Sequence, residues 1–525
     1  MAPNTLENII LIYAAAMLLL TACVIVAFYR RGASVISGSK SEHRQLGSLI
    51  FLLLSAGFLC LILKKHYGVD SFAIYADPAP FHPIAEGRYL KATVSMFFLR
   101  TGINQIEMQQ VCFTIWLIFT CISCRMISSS VIKALKINDR SKKMILTAIT
   151  SLIFINTFYM ELTLFPEVAL ENALSNLVFG AGIFVMLSDL KRIVRWPLAF
   201  ILLFGMTTGY QLYMPMFVVI TLMASGIKYI DEVKKRYSEA IFILIAGASS
   251  WGLNFLIMKV LENIGVTEPS DSVDGISLDV IVQNAKGVIF AHKDIWDNCL
   301  GTYRIHYLMT GVGVLLLSVA FLAFFKLKKA EQHIYFFLVL AGSYALSFAV
   351  HFIEQPQEIT PRSLLPLWSV FACVLMMGLY RDVRIVYVLT IALLLINIFH
   401  MNDMSLNLLK MNERDLYEAS VIADKIKTYE SETGNTVDSV EFRSDGDVVY
   451  HHPDSKYKVY QLGARIMATY FSRSHCVGYF LGRDIPDGYI PDEDFERLAQ
   501  GRNWDHFVPD EQIITEDNKV YVIIY

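Results

Sequence analysis

The chain has 525 residues, of which 55% are hydrophobic and only 18% are charged, and its formal net charge is -3. Its mean hydropathy is +0.47, which soluble domains rarely reach at so low a charged fraction. A near-neutral charge without a long basic tract is not typical of nucleic-acid-binding proteins. The composition therefore predicts an integral membrane protein that is surrounded by a lipid bilayer and binds no nucleic acid.

Apolar runs of roughly membrane-spanning length recur through the first 400 residues. An α-helix needs about 20 mostly apolar residues to cross the hydrocarbon core. The runs lie at residues 9–28, 46–63, 108–124, 144–160, 168–187, 197–211, 213–227, 240–260, 307–325, 334–353, 364–380 and 385–400. They predict an α-helical polytopic membrane protein with about twelve membrane segments.

The distribution of Lys and Arg predicts the orientation, because basic residues in short loops mark the cytoplasmic side. Basic clusters lie at residues 30–44, 125–143, 191–195, 228–236, 326–329 and 381–384. The longer connections, which are poor in basic residues, lie at 64–107, 261–306 and 354–362. We therefore expect the long loops and everything after residue 401 to lie outside the cytoplasm.

The composition changes after His400, where charged residues become frequent. We expect residues 1–400 to form a transmembrane domain and residues 401–525 to form a small soluble extracytoplasmic α/β domain. In the second domain the residue patterns predict helices at 413–429 and 464–471 and strands at 437–442, 448–452 and 519–525.

The stretch from Pro197 to Ile227 has basic residues at both ends, so its two ends should share one side of the membrane. The segment Gly209 to Pro215 interrupts the apolar pattern with Gly, Gln and Pro. We expect a break there, with irregular backbone that lines a cavity in the protein.

The first outer loop, residues 64–107, places acidic residues at the predicted membrane surface. Asp70 and Asp77 follow the second span, and Glu86 precedes a helical pattern from Ile84 to Leu99. The apolar residues of that pattern share one face, so we expect the helix to lie flat on the outer leaflet. An acid here is either a solvated loop residue or a group that meets a lipid-linked phosphate and a polar acceptor. Sugar transfer from a lipid phosphate needs a carboxylate to take the hydroxyl proton and cations to stabilise the phosphate.

The order of several motifs resembles the Gtr-type glucosyltransferases that modify bacterial O-antigen. The first loop carries Asp70-Ser71 and, about fifteen residues later, Glu86-Gly87-Arg88-Tyr89-Leu90, and further matches follow in the same order at Glu161, Tyr210-Gln211 and Arg362. The resemblance covers about residues 46–400, and the first span lies outside it.

The resemblance implies a GT-C-like architecture in the bacterial inner membrane and an inverting transfer of a sugar, most simply glucose. The donor would be a sugar linked to an undecaprenyl-type polyprenyl phosphate, and the acceptor a polysaccharide such as the O-antigen of lipopolysaccharide. A small membrane flippase and a polyprenyl-phosphate glucosyltransferase would act in the same pathway. An acid of the first outer loop would act as base, and Asp70 matches that role first and Asp77 second, with Glu161 as a further catalytic candidate.

The resemblance and the residue chemistry together indicate which other residues bind the substrates. Arg362 at the outer end of a late span, Arg88 and His66 are candidates for the donor phosphate, although Arg362 and His66 also suit an interfacial position. Glu86, Gln211 and Tyr210 are candidates for the sugar or the acceptor. A helix-capping role for Glu86 and a backbone-bonding role for Gln211 stay open.

No cofactor or metal site is predicted, and whether a divalent metal is required stays open. Asp445-Gly446-Asp447 has the D-x-D pattern of soluble glycosyltransferases, but Asp-Gly between two predicted strands is typical of a hairpin turn. Two rival functions, a lipid-linked glycan transporter or flippase and an O-antigen polymerase, would also use many spans. A transporter forms no product, and a polymerase changes the chain length of the glycan.

Overall fold

The computed structural model describes residues 3–32, 40–76, 81–267, 278–352, 357–444, 450–459, 461–501 and 506–524. Helices dominate this part of the chain. Up to residue 207 they are α1 Pro3–Ala27, α2 Lys40–Gly57, α3 Leu59–Leu63, α4 Ser71–Ala76, α5 Phe81–Ala85, α6 Tyr89–Thr101, α7 Gln109–Ala134, α8 Arg140–Ser151, α9 Thr157–Thr163, α10 Ala169–Leu187 and α11 Arg192–Thr207.

The second half of the helical region ends in a helix of 49 residues. Its helices are α12 Tyr213–Lys228, α13 Val233–Asn263, α14 Leu278–Asn298, α15 Leu308–Phe325, α16 Ala330–Leu346, α17 Leu365–Tyr380 and α18 Ile385–Thr433. Short 3₁₀ turns at Pro166–Val168 and Arg362–Leu364 lead into α10 and α17, and a π-helical turn at Phe28–Gly32 extends α1.

Within the described ranges, seven helices are long and apolar enough to cross a membrane: α1, α7, α10, α13, α15, α17 and α18. The remaining predicted spans coincide with α2 and α3, with α8 and α9, and with α11, α12 and α16, which are shorter, interrupted or charged at one end. The expected helical membrane protein is therefore confirmed in its broad form.

The break predicted near Gly209 is confirmed, because α11 ends at Thr207 and α12 begins at Tyr213. A Cβ atom at Gly209 would overlap the Ser175 hydroxyl on α10, so a larger residue there would require the Ser175 side chain to move. The carbonyl oxygen of Thr208 in the break accepts a 3.2 Å hydrogen bond from the backbone N–H of Leu90. The break thus lies directly against the start of α6.

The surface helix predicted at residues 84–99 differs in two ways. It is divided between α5 and α6 by a turn in which Gly87 has a φ of 70° and a Cβ atom would lie 2.6 Å from Asn254 Nδ2. Leu90, Val94 and Phe98 are buried because α6 packs against α1 and α10, and Phe97 alone of the predicted apolar face is exposed. Most of the predicted apolar face is therefore covered by other helices of the protein.

The predicted domain boundary at residue 400 lies inside α18, which continues without interruption to Thr433. A helix of 49 residues is about 73 Å long, more than twice the hydrocarbon thickness of about 30 Å. The predicted helix at 413–429 lies in the C-terminal half of this same helix.

A four-stranded sheet forms the rest of the C-terminal region, with the order β2-β1-β4-β3. Its strands are β1 Ser439–Ser444, β2 Asp487–Tyr489, β3 Ile513–Glu516 and β4 Lys519–Ile524. β1 pairs in parallel with β2 and β4, and β3 pairs antiparallel with β4. The helices α19 Arg473–Leu481, α20 Asp492–Ala499 and α21 Pro509–Gln512 complete it.

Two predicted strands of this region, at 437–442 and 519–525, coincide with β1 and β4. The strand predicted at 448–452 lies partly outside the described residues, and His451 within it forms an isolated bridge with Ala464. The helix predicted at 464–471 is wrong. Its backbone makes turns because the N–H of Ile466 donates to Asp415 on α18 and the Arg465 side chain is buried in an ion pair with Glu418.

Arg465 joins the C-terminal region to α18 through a buried ion pair. Its Nη2 atom lies 2.7 Å from Glu418 Oε2, its Nε atom lies 3.8 Å from Asp415 Oδ1, and its side chain has no solvent exposure. Removing one partner of a buried pair leaves an uncompensated charge, which costs about 3–5 kcal/mol.

We expect Arg465→Met to lower the free energy of unfolding of the C-terminal region by about 3–5 kcal/mol, because two buried carboxylates lose their cation. Thermal unfolding of the purified protein in detergent measures this effect. Arg497→Met is the matched control, since Arg497 pairs with Glu516 at the surface with half of its side chain exposed. Equal losses in the two variants would contradict the assigned role of Arg465.

Candidate active site

The first loop, the start of α10, the break after α11 and the start of α17 enclose a cavity of about 120 Å³. Four residues predicted from the sequence line it: Asp70, Arg88, Tyr210 and Arg362. Four further polar residues of the lining were not predicted as site residues: Lys91, Glu167, Glu171 and Asn172. The cavity therefore gathers acids from the first outer loop and α10 against cations from the outer loop and the start of α17.

The backbone before Asp70 is held by side-chain amides from two distant helices. Gln109 of α7 accepts a hydrogen bond from the His66 N–H at 3.2 Å and donates to its carbonyl oxygen. Asn412 of α18 accepts from the Tyr67 N–H at 2.8 Å and donates to its carbonyl oxygen at 3.0 Å. Both peptide groups are thus satisfied although they are buried, which fixes the path of the loop.

Ser71 connects the outer loop to α10. Its hydroxyl group accepts a hydrogen bond from the Gly68 N–H at 2.8 Å and donates to Glu167 Oε2 at 2.8 Å. The carbonyl oxygen of Asp70 accepts a 2.9 Å hydrogen bond from the Ile74 N–H, as the first turn of α4 requires. The Asp70 carboxylate is therefore carried by a rigid turn and lies at the cavity wall.

Four predicted residues form one connected group around the break between α11 and α12. The Arg88 guanidinium lies 3.1 Å from the Glu86 carboxylate and 5.3 Å from the centre of the Tyr210 ring. Gln211 accepts from Arg88 Nε at 3.4 Å and donates to the Glu86 carbonyl oxygen at 2.6 Å. Gln211 thus forms a hydrogen bond with the backbone of the outer loop, and the Tyr210 ring makes a cation–π contact with the Arg88 guanidinium.

Arg362 lines the same cavity from the 3₁₀ turn that leads into α17. Its guanidinium stacks 4.8 Å from the centre of the Phe165 ring and donates to Gln461 of the C-terminal region. Its backbone N–H donates to Glu161 Oε2 at 2.6 Å. Glu161 is fully buried in α9, and its Oε1 atom has no hydrogen-bond partner among the described residues.

His66 does not line the cavity. Its ring is fully buried, and its Nε2 atom lies 3.0 Å from the Thr163 carbonyl oxygen. Burial lowers the pKa of His66 to about 4, so the imidazole is uncharged near pH 7. An uncharged ring with this internal partner holds the loop against α9 and offers no positive charge to a phosphate.

Two predicted features lie outside the described residues: Asp77, the second candidate for the base, and the Asp445-Gly446-Asp447 segment. Within the described ranges, no group of three or more His, Cys, Asp or Glu side chains is placed to hold a metal ion.

The unpredicted residues of the cavity had sequence signals. Lys91 in the first turn of α6 follows Arg88, the N-cap residue of that helix, by three residues, a spacing that brings two side chains to the same side of a helix start. Glu167 and Glu171 lie four residues apart at the start of α10, where acids also stabilise the helix dipole. In the structure Glu171 is not a solvated residue at a helix start. It is 3% exposed, and its Oε2 atom has no hydrogen-bond partner among the described residues.

The arrangement of charges defines the chemistry that the cavity can perform. A carboxylate at the wall can accept a proton from a hydroxyl group. Two guanidinium groups and an ammonium group can bind an anion such as a phosphate, and burial strengthens these interactions relative to bulk water. The cavity therefore suits the transfer of a group from a phosphate ester to a hydroxyl group.

Comparison with known proteins agrees with this chemistry. No curated protein and no solved structure matches the chain. The family described as Glucosyl transferase GtrII matches residues 59–378, which include Asp70, Arg88, Tyr210 and Arg362 of the cavity lining. This match covers more than half of the chain, and the chain therefore belongs to the GtrII glucosyl transferase family.

Proposed function

We propose that this glucosyltransferase moves glucose from a polyprenyl-phosphate donor to a hydroxyl group of a cell-surface glycan, such as O-antigen, at the outer face of the bacterial inner membrane. The observation that carries the proposal is the cavity in which Asp70 lies with Arg88 and Arg362, in a protein with seven described helices long and apolar enough to cross a membrane. At the outer surface of the bilayer, where we propose that it lies, this cavity can receive a lipid-linked phosphate from the bilayer and a polar acceptor from the aqueous side.

The Asp70 carboxylate acts as the general base. It accepts the proton of the acceptor hydroxyl group while the hydroxyl oxygen forms a bond to C1 of glucose. The bond between C1 and the phosphate oxygen breaks at the same time, and the electron pair leaves with the polyprenyl phosphate. Because the attack occurs opposite the leaving phosphate, the configuration at C1 inverts.

The cations of the cavity stabilise the phosphate as its negative charge increases. Arg88 is held by the Glu86 carboxylate and the Tyr210 ring, and Arg362 is held by the Phe165 ring. Because these contacts fix both guanidinium groups before the reaction, little reorganisation is needed when the bond to the phosphate breaks. Lys91 also lines the cavity and supplies a third positive charge.

Two acids have positioning roles in this proposal. Glu161 accepts from the backbone N–H of Arg362 and so orients the start of α17. Glu167 accepts from Ser71 and holds the turn that carries Asp70. Glu86, Gln211 and Tyr210 orient Arg88, and Tyr210 also lines the cavity.

The orientation follows the charge pattern of the loops, which assigns the first outer loop and the C-terminal region to the outer face. The donor must then be made by a polyprenyl-phosphate glucosyltransferase and carried across the bilayer by a flippase. Membership in a glucosyl transferase family favours this function over transport or polymerisation.

We expect Asp70→Asn to lower the rate of transfer by about 10²- to 10⁴-fold, because an amide cannot accept the hydroxyl proton. The rate is measured in proteoliposomes with polyprenyl-phosphate glucose and the O-antigen polysaccharide as acceptor. Asp484→Asn is the matched control, since Asp484 is exposed and does not line the cavity. Full activity of Asp70→Asn would exclude Asp70 as the base.

Arg362→Ala should lower kcat by about 10²- to 10³-fold, because the leaving phosphate loses a fixed hydrogen-bond donor. Single-turnover assays at saturating donor separate this effect from weaker donor binding. Arg100→Ala serves as the control, because Arg100 pairs with Glu7 near the end of α6 and does not line the cavity. If Arg362→Ala only raised KM for the donor, Arg362 would bind the ground state and not the transition state.

The positioning role of Glu161 predicts different results for two substitutions. Glu161→Gln keeps an oxygen atom that accepts from the Arg362 N–H, and we expect its kcat to fall by less than about tenfold. Glu161→Leu removes that acceptor, and we expect a fall of roughly 10- to 100-fold. A proton-transfer role for Glu161 would instead make both variants equally inactive in the same assay.

A further inference from the structure

A second cavity, of about 270 Å³, lies in the C-terminal region. Its lining includes Arg414, Tyr417 and Glu418 of α18, His452, and Phe507. Pockets for small organic ligands occupy roughly 300–1,000 Å³. The volume is therefore close to that needed for a single small unit, such as one sugar of a longer chain.

Aromatic side chains form one side of this cavity. The Tyr417 and Phe507 rings meet edge to face with their centres 6.2 Å apart, and 60% of Tyr417 is exposed. Exposed aromatic rings beside polar groups are typical of ligand sites, because the ring supplies apolar contact and the polar groups fix the orientation. The apolar C–H face of a sugar ring suits such a surface.

The charged groups of the cavity form ion pairs with one another or with a neighbouring residue. Arg414 Nη1 lies 2.5 Å from Asp454 Oδ2, and Glu418 Oε2 lies 2.7 Å from Arg465 Nη2. Each cation in these pairs faces a carboxylate, so the cavity has no excess positive charge for a phosphate or another strong anion. Matched pairs still offer acceptor and donor atoms to neutral hydroxyl groups.

His452 adds a buried donor. Its side chain is 1% exposed, and its Nδ1 atom lies 3.3 Å from Arg414 Nη1. Burial lowers the pKa of His452 to about 4, so the ring is neutral near pH 7. Because Arg can only donate, Nδ1 accepts and the proton of the neutral ring is on Nε2. This Nε2 atom has no hydrogen-bond partner among the described residues, which is costly unless a ligand supplies one.

The second cavity is joined to the active site by a short piece of chain. Tyr450 lies close enough to Asp70 and Arg362 for both charges to act on its phenol group. His452 follows two residues later, so its Cα atom is at most about 7 Å from that of Tyr450. Gln461 of the same segment accepts a hydrogen bond from Arg362.

We propose that this second cavity is an acceptor subsite that binds an uncharged, hydroxyl-rich sugar unit of the acceptor polysaccharide. This inference rests on the proposed function. The bound sugar stacks on Tyr417 and accepts a hydrogen bond from His452 Nε2. The neighbouring part of the polysaccharide then passes Tyr450 and presents its hydroxyl group to Asp70.

The test measures binding and turnover with one probe, the O-antigen polysaccharide purified from the encoding bacterium after deletion of the gene. The full chain in detergent carries Tyr417→Ala, His452→Leu or His452→Gln. We expect the first two variants to raise the Kd for the polysaccharide and its KM by about tenfold, as for loss of a central contact, without changing KM for the donor. His452→Gln keeps a donor near Nε2 and should recover most of the affinity.

Tyr470→Ala is the matched control, because Tyr470 is 72% exposed and does not line the cavity. Unchanged Kd and acceptor KM in both Tyr417→Ala and His452→Leu would overturn the subsite. Binding is also measured in the Asp70→Asn background, where no transfer occurs under the proposed mechanism. If Asp70→Asn stays active while the cavity variants bind the polysaccharide weakly, the base assignment fails and the subsite stands.

Discussion

Two side-chain amides hold the start of the first outer loop, and the position of the cavity acids depends on them. Gln109 bonds both backbone polar groups of His66, and Asn412 bonds both of Tyr67. A buried peptide group without a partner costs about 1–3 kcal/mol, so few other paths of this loop are as stable. Asp70 follows three residues later, and its placement is set before any substrate binds.

The positions of the charged groups in the cavity also depend on hydrogen bonds that satisfy buried polar groups. The break between α11 and α12 would expose backbone groups inside the protein, and Gln211 and the start of α6 supply partners for this region and the adjoining loop. That solution brings Arg88 beside Tyr210. The buried carboxylate of Glu161 accepts from the backbone N–H of Arg362 and so orders the start of α17. Structural hydrogen bonds and the positions of the two guanidinium groups are therefore inseparable here.

Local residue patterns were sufficient for the apolar helices and the break near Gly209, because these depend on hydropathy and on glycine. The grouping of Asp70, Arg88, Tyr210 and Arg362 was predicted from the resemblance to a known family. Local patterns were insufficient where contacts with residues distant in the sequence determine the local structure. The helix expected at 464–471 is replaced by turns because Asp415 and Glu418 bind this segment. The apolar face of α6 packs on α1, and no local pattern distinguishes burial in protein from burial in lipid.

The long helix α18 contributes residues to both the active-site loop and the second cavity. Its C-terminal half carries Asn412, which holds the loop of Asp70, and Tyr417 and Glu418, which line the second cavity. Asn412 and Tyr417 are five residues apart, or about 7.5 Å along a rigid helix. A polysaccharide that contacts both the loop of Asp70 and the second cavity therefore requires no hinge movement between the helical domain and the C-terminal region. The continuity of α18 across residue 400 joins the C-terminal region to the other helices, and Gln461 of that region contacts Arg362 of the cavity lining.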